Sequence, residues 1–310
     1  AAMSARQAGS TTLPEYLKPL AAGSQPILEV RGLRKSFGGI RAVQGVNFTV
    51  TDRTLHALIG PNGAGKTTAF NLISGQFNPD EGAITLEGQS IAGMSPEAIT
   101  RAGVGRSFQI TNLFPALTVA ENVRLAVQAR DPNRFGCWIN AESLQQVNEQ
   151  TQAILRTMGL AGVEGAEASS LSYGGQRLLD MSLALATKPR ILLLDEPLAG
   201  LAALERQRVG DLIKQISQDL PVLLVEHDID RVFALADAVT VMNEGAVLVD
   251  GGVNDARDSK RVQEVYIGSG SEALAGRHRE SAVVDRELLR LDRVNTCLLY
   301  TSPSPRDGLL

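Results

Sequence analysis

Gly60-Pro61-Asn62-Gly63-Ala64-Gly65-Lys66-Thr67-Thr68 follows the strand-like run Thr54–Ile59 and leads into Phe70-Asn71-Leu72-Ile73, which stops at Gly75. Glycines at this spacing let the chain curl so that successive backbone N–H groups point inward at a phosphate chain. The helix that follows adds the positive end of its dipole. Lys66 would reach the β- and γ-phosphates of a nucleotide, and Thr67 would place its hydroxyl on Mg²⁺. A strand, a glycine-rich loop and a helix in that order predict an α/β core built around a phosphate loop.

Outward from the loop, Ile191–Leu194 and Val222–Val225 are nearly unbroken Ile, Leu and Val. Such runs suit strands covered on both faces in a parallel sheet. A helix over about 203–218, with Leu204, Val209, Leu212, Ile213 and Ile216 at helical spacing, connects them. The first of these strands delivers Asp195 and Glu196 at its carboxyl end, where open α/β sheets bind ligands. Two adjacent carboxylates there call for a cation or a proton. Asp195 suits Mg²⁺, held through its water shell, and Glu196 is placed to polarise an attacking water. Leu171-Ser172-Tyr173-Gly174-Gly175-Gln176 opens another helix and makes a second anion-binding terminus. One nucleotide rarely needs two cradles from one chain, so Ser172, Gly174 and Gly175 are read as gripping the γ-phosphate held by a second molecule.

Residues 95–187 differ in texture. Ser95-Pro96 reads as a helix cap with proline at the first helical position, and Thr118-Val119-Ala120-Glu121 as a capping box. Leu144, Val147, Ile154, Leu155 and Met158 recur on one helical face before Gly159. The stretch is expected to be an all-helical insertion in the α/β core. Strand-like Ala42–Val50, Ala83–Leu86, Ala238–Met242 and Ala246–Val249 complete the pattern, and residues 1–26 read as a polar tail.

The chain has 310 residues, 44% apolar and 21% charged, which is globular composition and, on length, about two domains. Thirty basic against thirty-four acidic side chains give a net charge of −4, which excludes an overall basic field for nucleic acid. Cys137 and Cys297 are too few to staple a chain of this size, and a reducing compartment is expected. No uncharged apolar run approaches a membrane span, and the N-terminus lacks a signal-peptide core.

GPNGAGKTT, LSYGGQ, ILLLDEP and the later Glu226-His227-Asp228 stand in the order and spacing of the nucleotide-binding subunit of an ABC transporter, which the chain resembles from about residue 27 to 268. SFGGIRAVQGV, FNLISG, GVGRSFQITNLFPALTVAENV and EVYIG make it most similar to the ATP-binding proteins of branched-chain amino acid importers. The fold this implies is a P-loop ATPase core with a β subdomain and an inserted α-helical subdomain. ATP and Mg²⁺ are the implied cofactors. Gly60, Pro61, Asn62, Gly63, Ala64, Gly65, Lys66, Thr67 and Thr68 would hold the phosphates, with Ser172, Gly174, Gly175 and Gln176 closing on them from another ATPase domain, in a homo- or heterodimer. Phe37 matches the aromatic that stacks on adenine. Gln109 matches the glutamine that meets Mg²⁺, beside Thr67 and Asp195, and links the core to the insertion. His227 matches the switch histidine at the γ-phosphate, and Glu196, His227, Lys66 and Gln109 form the implied catalytic set. His56 and His278 are read as structural.

The resemblance also implies transmembrane permease subunits as partners and, through them, an external solute-binding protein. It places the chain in the cytoplasm on the inner face of the cell membrane, with no nucleic acid expected. Gly200-Leu201-Ala202 departs from the family's usual Gly-Leu-Asp or Gly-Leu-Asn, so a side chain that normally crosses the dimer interface is missing. The rival reading is a soluble ABC ATPase acting on ribosomes or nucleic acid. The net charge, the absence of a basic linker and the importer-like surroundings of Gln109 weigh against it. After residue 268 a linker is expected to about 287. Residues 288–296 repeat the apolar spacing of Ile27–Arg34 and read as the start of a truncated second ATPase domain. Residues 297–310 read as adaptor-derived rather than native.

Overall fold

The two apolar tetrads are strands buried along their whole length, and the rest of the molecule is layered on them. The computed structural model describes residues 13–18, 26–107, 113–129 and 141–272. In chain order the elements begin with β1 (Pro26–Phe37), β2 (Ile40–Thr51), β3 (Leu55–Ile59), α1 (Lys66–Ile73), β4 (Glu81–Leu86) and β5 (Gln89–Ser90). Then come α2 (Pro96–Ala102), β6 (Val104–Arg106), α3 (Val119–Gln128), α4 (Ala141–Thr157), α5 (Tyr173–Ala186) and β7 (Ile191–Asp195). The chain continues through α6 (Ala203–Ser217), β8 (Val222–Val225), α7 (Ile229–Leu235), β9 (Ala238–Asn243), β10 (Ala246–Gly252), α8 (Val253–Asp258) and α9 (Lys260–Glu272).

A six-stranded sheet has the order β10-β9-β3-β8-β7-β6, parallel throughout except for β10. A four-stranded antiparallel sheet, β2-β1-β4-β5, forms the β subdomain. Side chains alternate across β7 with the strand period of two. Leu192 and Leu194 join a core with α3, α4, α5 and α6, whereas Ile191 and Leu193 join one with α1 and the four-stranded sheet. The α6 helix starts one residue after the exposed Ala202, whose methyl group cannot cap it. Leu204 lies outside the helix's apolar face and is 83% exposed.

Two segments differ from the sequence expectation. Among the described residues the stretch 95–187 carries one strand, β6, which pairs in parallel with β7, Val104 opposite Ile191. Three residues between Gly103 and Ser107 are too few for periodicity to reveal, and burial of Val104 beside Ile191 decides the matter. The helices of the insertion follow it, with Thr118 and Glu121 making the reciprocal capping box. Within the expected N-terminal tail, Glu15–Leu17 form a 3₁₀ turn docked on the molecule. Leu13 and Leu17 are each 3% exposed and enter the core shared by the insertion and β7. The Leu13 N–H donates to Asp219 Oδ2 at 3.0 Å and the Tyr16 hydroxyl to the Gln150 carbonyl at 2.8 Å. The expected linker begins inside α9, and its remainder after Glu272, residues 288–310, Cys137 and His278 lie outside the described residues.

His56 on β3 is buried and has its structural place. Its Nε2 lies 2.6 Å from the Thr240 hydroxyl, which donates to Asp250 Oδ1 at 2.6 Å. With its one proton so used, Thr240 accepts from Nε2–H. Burial pushes the His56 pKa down from 6.5 to about 4. Between those values the unfolded chain binds the proton and the folded one does not, so stability is full above 6.5 and is lost as pH falls toward 4. His56 should therefore lower unfolding stability by about 2 kcal/mol between pH 7 and 5. Denaturant titrations at the two values should show that increment in the native chain and lack it in His56→Gln. Leu17→Ala should cost about 2 kcal/mol or more, read from the same denaturation curve at pH 7.5.

Candidate functional site

The loop after β3 is built by exclusion of side chains. Gly65 caps α1 in a left-handed conformation, φ 92°, and a Cβ there would lie 2.3 Å from the Ala42 carbonyl oxygen. A Cβ on Gly60 would lie 2.1 Å from the Met242 carbonyl oxygen. The walls are themselves tied down. Gly245 N–H donates to the Ala64 carbonyl at 3.1 Å, and Gln44 N–H to the Gly245 carbonyl at 2.7 Å. Lys66 is 4% exposed, and its ammonium donates to the carbonyls of Gly60 and Pro61 at 2.7 and 3.0 Å. Burial pulls its pKa from 10.5 to about 8, against the opposing pull of Glu196 and Asp195. Thr68 is buried in α1, while Thr67 is exposed at its first turn.

Asp195 and Glu196 arrive where β7 ends. Asp195 is 3% exposed, and burial holds its carboxyl above the usual range, with Arg106 working against that. Arg106 approaches Asp195 Oδ2 at 4.0 Å. It also donates to Ser74 Oγ at 2.5 Å and Asn71 Oδ1 at 2.8 Å, and lies 5.0 Å from the Phe70 ring centroid. It therefore ties the end of β6 to α1 and the Asp195 strand. In the sequence the sign of Arg106 is a basic residue at the end of the short run that becomes β6, within Arg106-Ser107-Phe108-Gln109.

Glu196 has φ 48°, a left-handed backbone that a non-glycine residue keeps only under outside constraint. Its N–H donates to the Val225 carbonyl at 3.0 Å. Its Oε1 lies 2.5 Å from His227 Nε2, and this hydrogen bond holds the Glu196 carboxyl below its usual range. Lys66, Asp195, Glu196 and His227 thus come together at the carboxyl edge of the parallel sheet.

The Ser172–Gln176 segment opens α5, whose Arg177 acts electrostatically on Asp195 and Glu196. Ser172 caps α5, accepting from Gly175 N–H at 3.2 Å, with Glu205 Oε1 3.4 Å from its hydroxyl. A Cβ on Gly174 would lie 2.9 Å from that same oxygen, so the flexible Glu205 side chain would have to move aside for it. Gln176 Nε2 donates to the Leu171 carbonyl at 3.3 Å. Among the described residues, no hydrogen bond or ion pair joins this segment to the 60–68 loop. Phe37 ends β1, half-buried, edge to face with Phe77 at 5.1 Å between centroids. Gln109 lies outside the described residues.

A glycine-walled loop opening a helix on a parallel sheet is the construction of the P-loop nucleotide-binding proteins, and the fold defines that class here. Within it, residues 43–199 match the ABC transporter family model, and the chain belongs to that family. It is 40% identical over 253 residues to the high-affinity branched-chain amino acid transport ATP-binding protein BraF of Pseudomonas aeruginosa, covering 79% of this chain and 99% of BraF. Its identity to LivG of Salmonella typhimurium, which carries the same description, is 37% over 254 residues, covering 79% of this chain and 99% of LivG. A solved structure of the ADP conformation of MJ1267, an ATP-binding cassette of an ABC transporter, superposes with a TM-score of 0.68 at 28% identity. That match covers 79% of this chain and 100% of MJ1267. The chain is accordingly an ATP-binding, ATP-hydrolysing subunit of a transport system. Among the described residues no helix is long and apolar enough to cross a membrane.

Proposed function

We propose that the chain powers an importer of branched-chain amino acids or related small polar solutes, working as an ATP-sandwich dimer on separate permease subunits. The relatives named above support the cargo class, being transport proteins that align along nearly their whole length. They favour this reading over a soluble ATPase acting on ribosomes or nucleic acid. The observation that carries the dimer is the separation of two anion-binding termini. The loop at 60–68 is assembled with Asp195, Glu196 and His227, while Ser172, Gly174 and Gly175 form a second helix start with no hydrogen bond to it among the described residues. A second ATPase domain brings its own Ser172–Gln176 segment to the phosphates.

Lys66 supplies the charge at the β- and γ-phosphates, and its position is already fixed by the Gly60 and Pro61 carbonyls. Glu196, kept ionised by His227, orients the attacking water, and His227 contacts the γ-phosphate. Thr67, Asp195 and Gln109 offer the hard oxygen donors that suit Mg²⁺, which neutralises phosphate charge when bound. Phe37 supplies the ring for adenine. Contacts to the γ-phosphate from both subunits exist only in the closed dimer, so hydrolysis releases it. The motion passes through Gln109 and the helical insertion to the permease at the inner membrane face, which an external solute-binding protein loads. Ala202 contributes no polar side chain across the interface.

Glu196→Gln should keep ATP binding and lose turnover by about a hundredfold, accumulating an ATP-bound dimer on size exclusion. Turnover at the native rate would remove Glu196 from catalysis. Ser172→Arg should abolish hydrolysis while leaving the ATP affinity of the monomer unchanged in equilibrium binding, and retained hydrolysis would end the sandwich reading.

A further inference from the structure

Glu226 precedes His227 and has no part in the chemistry above. It is 5% exposed. Its Oε1 accepts the Leu198 N–H at 3.0 Å and its Oε2 accepts the His227 N–H at 3.4 Å. Leu198 lies two residues past Glu196 in the loop leaving β7, and His227 opens the loop leaving β8. A single carboxylate therefore fastens together the two loops whose side chains meet in the Glu196–His227 hydrogen bond.

Burying a carboxylate is unfavourable unless directed hydrogen bonds satisfy it, and an aliphatic side chain would fill the same space without that penalty. What the carboxylate adds is a fixed position for two backbone amides. That matters because Glu196 sits at φ 48°, a conformation that persists only where its surroundings over-determine it. One constraint is the Glu196 N–H bond to the Val225 carbonyl, and a second is the Glu196–His227 side-chain bond. The Glu226 clasp on Leu198 and His227 is the third.

We propose that Glu226 is a positioning residue for ATP hydrolysis. Its carboxylate sets the backbone of Leu198 and His227, and through them the distance between Glu196 and His227, without touching the nucleotide. The inference rests on the catalytic reading of Glu196 and His227, so its test separates the two.

The full chain is compared as native, E196Q, E226Q, E226A, H227A, E226A/H227A and E226Q/H227A. Glu226→Ala should lower kcat about tenfold or more, with KM for ATP and the equilibrium affinity for ADP within about twofold of native. Glu226→Gln, which keeps one acceptor oxygen and replaces the other with an amide nitrogen that cannot accept, should fall between. Combined with His227→Ala, neither change should slow the enzyme further, because both act through the same pair. Effects that multiply, an unchanged kcat, or a loss of ADP affinity matching the loss of kcat would overturn the assignment. Should E226A fail to fold, E226Q and its double variant carry the same comparison. If H227A and E196Q turn over at the native rate, it is the catalytic reading that has failed, and the distinction is visible in the same data set.

Discussion

Strand register governs what this molecule does. Asp195 is opposite Val225 across β7 and β8, and Leu58 is opposite Val225 across β3 and β8. Three parallel strands therefore end level with one another, and the residues at or just beyond each end are the loop before Lys66, the Asp195–Glu196 pair and Glu226-His227. Parallel pairing puts all these ends at one edge, and complete burial of the strands leaves their charged successors nowhere to go but that edge. A slip of one residue in β7 would turn Asp195 to the opposite face of the sheet.

At that edge the charges hold each other in check. Burial disfavours charge on both Lys66 and Asp195, shifting the first down and the second up. Glu196 moves the other way, because a histidine hydrogen bond outweighs its partial burial. Two neighbouring carboxylates thus acquire different proton affinities from their surroundings alone. Arg106 and Glu226 belong to this balance, one beside Asp195 and the other beneath His227.

Most of this was legible in the chain. The Gly60–Thr68 loop, the tetrads Ile191–Leu194 and Val222–Val225 and the Thr118–Glu121 box are local signals, each complete within a few residues, and each stands where it was read. What escaped was settled by distant partners. β6 is a strand only because β7 lies alongside it. Leu13 and Leu17 look like residues of a tail until the surface that covers them is known. Leu204 has the spacing of a buried residue but starts its helix one turn before the core is reached, and is exposed. Glu226 stands within a local motif, yet one of its two hydrogen bonds comes from an amide twenty-eight positions away.

The helical insertion has a further consequence. Val123, Ile154, Leu155 and Leu179 pack in one continuous cluster with Leu192 and Leu194 of β7 and with Leu17. Among the described residues the buried side chains of α3, α4 and α5 share their cluster with β7, so the insertion is not a portable module. Grafting it onto another ATPase would mean transplanting half of a strand's side chains as well, and cutting it out would strip one face of the strand that carries the acidic pair. Changes in the insertion must therefore be compatible with the strand that ends in Asp195, which limits how freely this part of the chain can diverge.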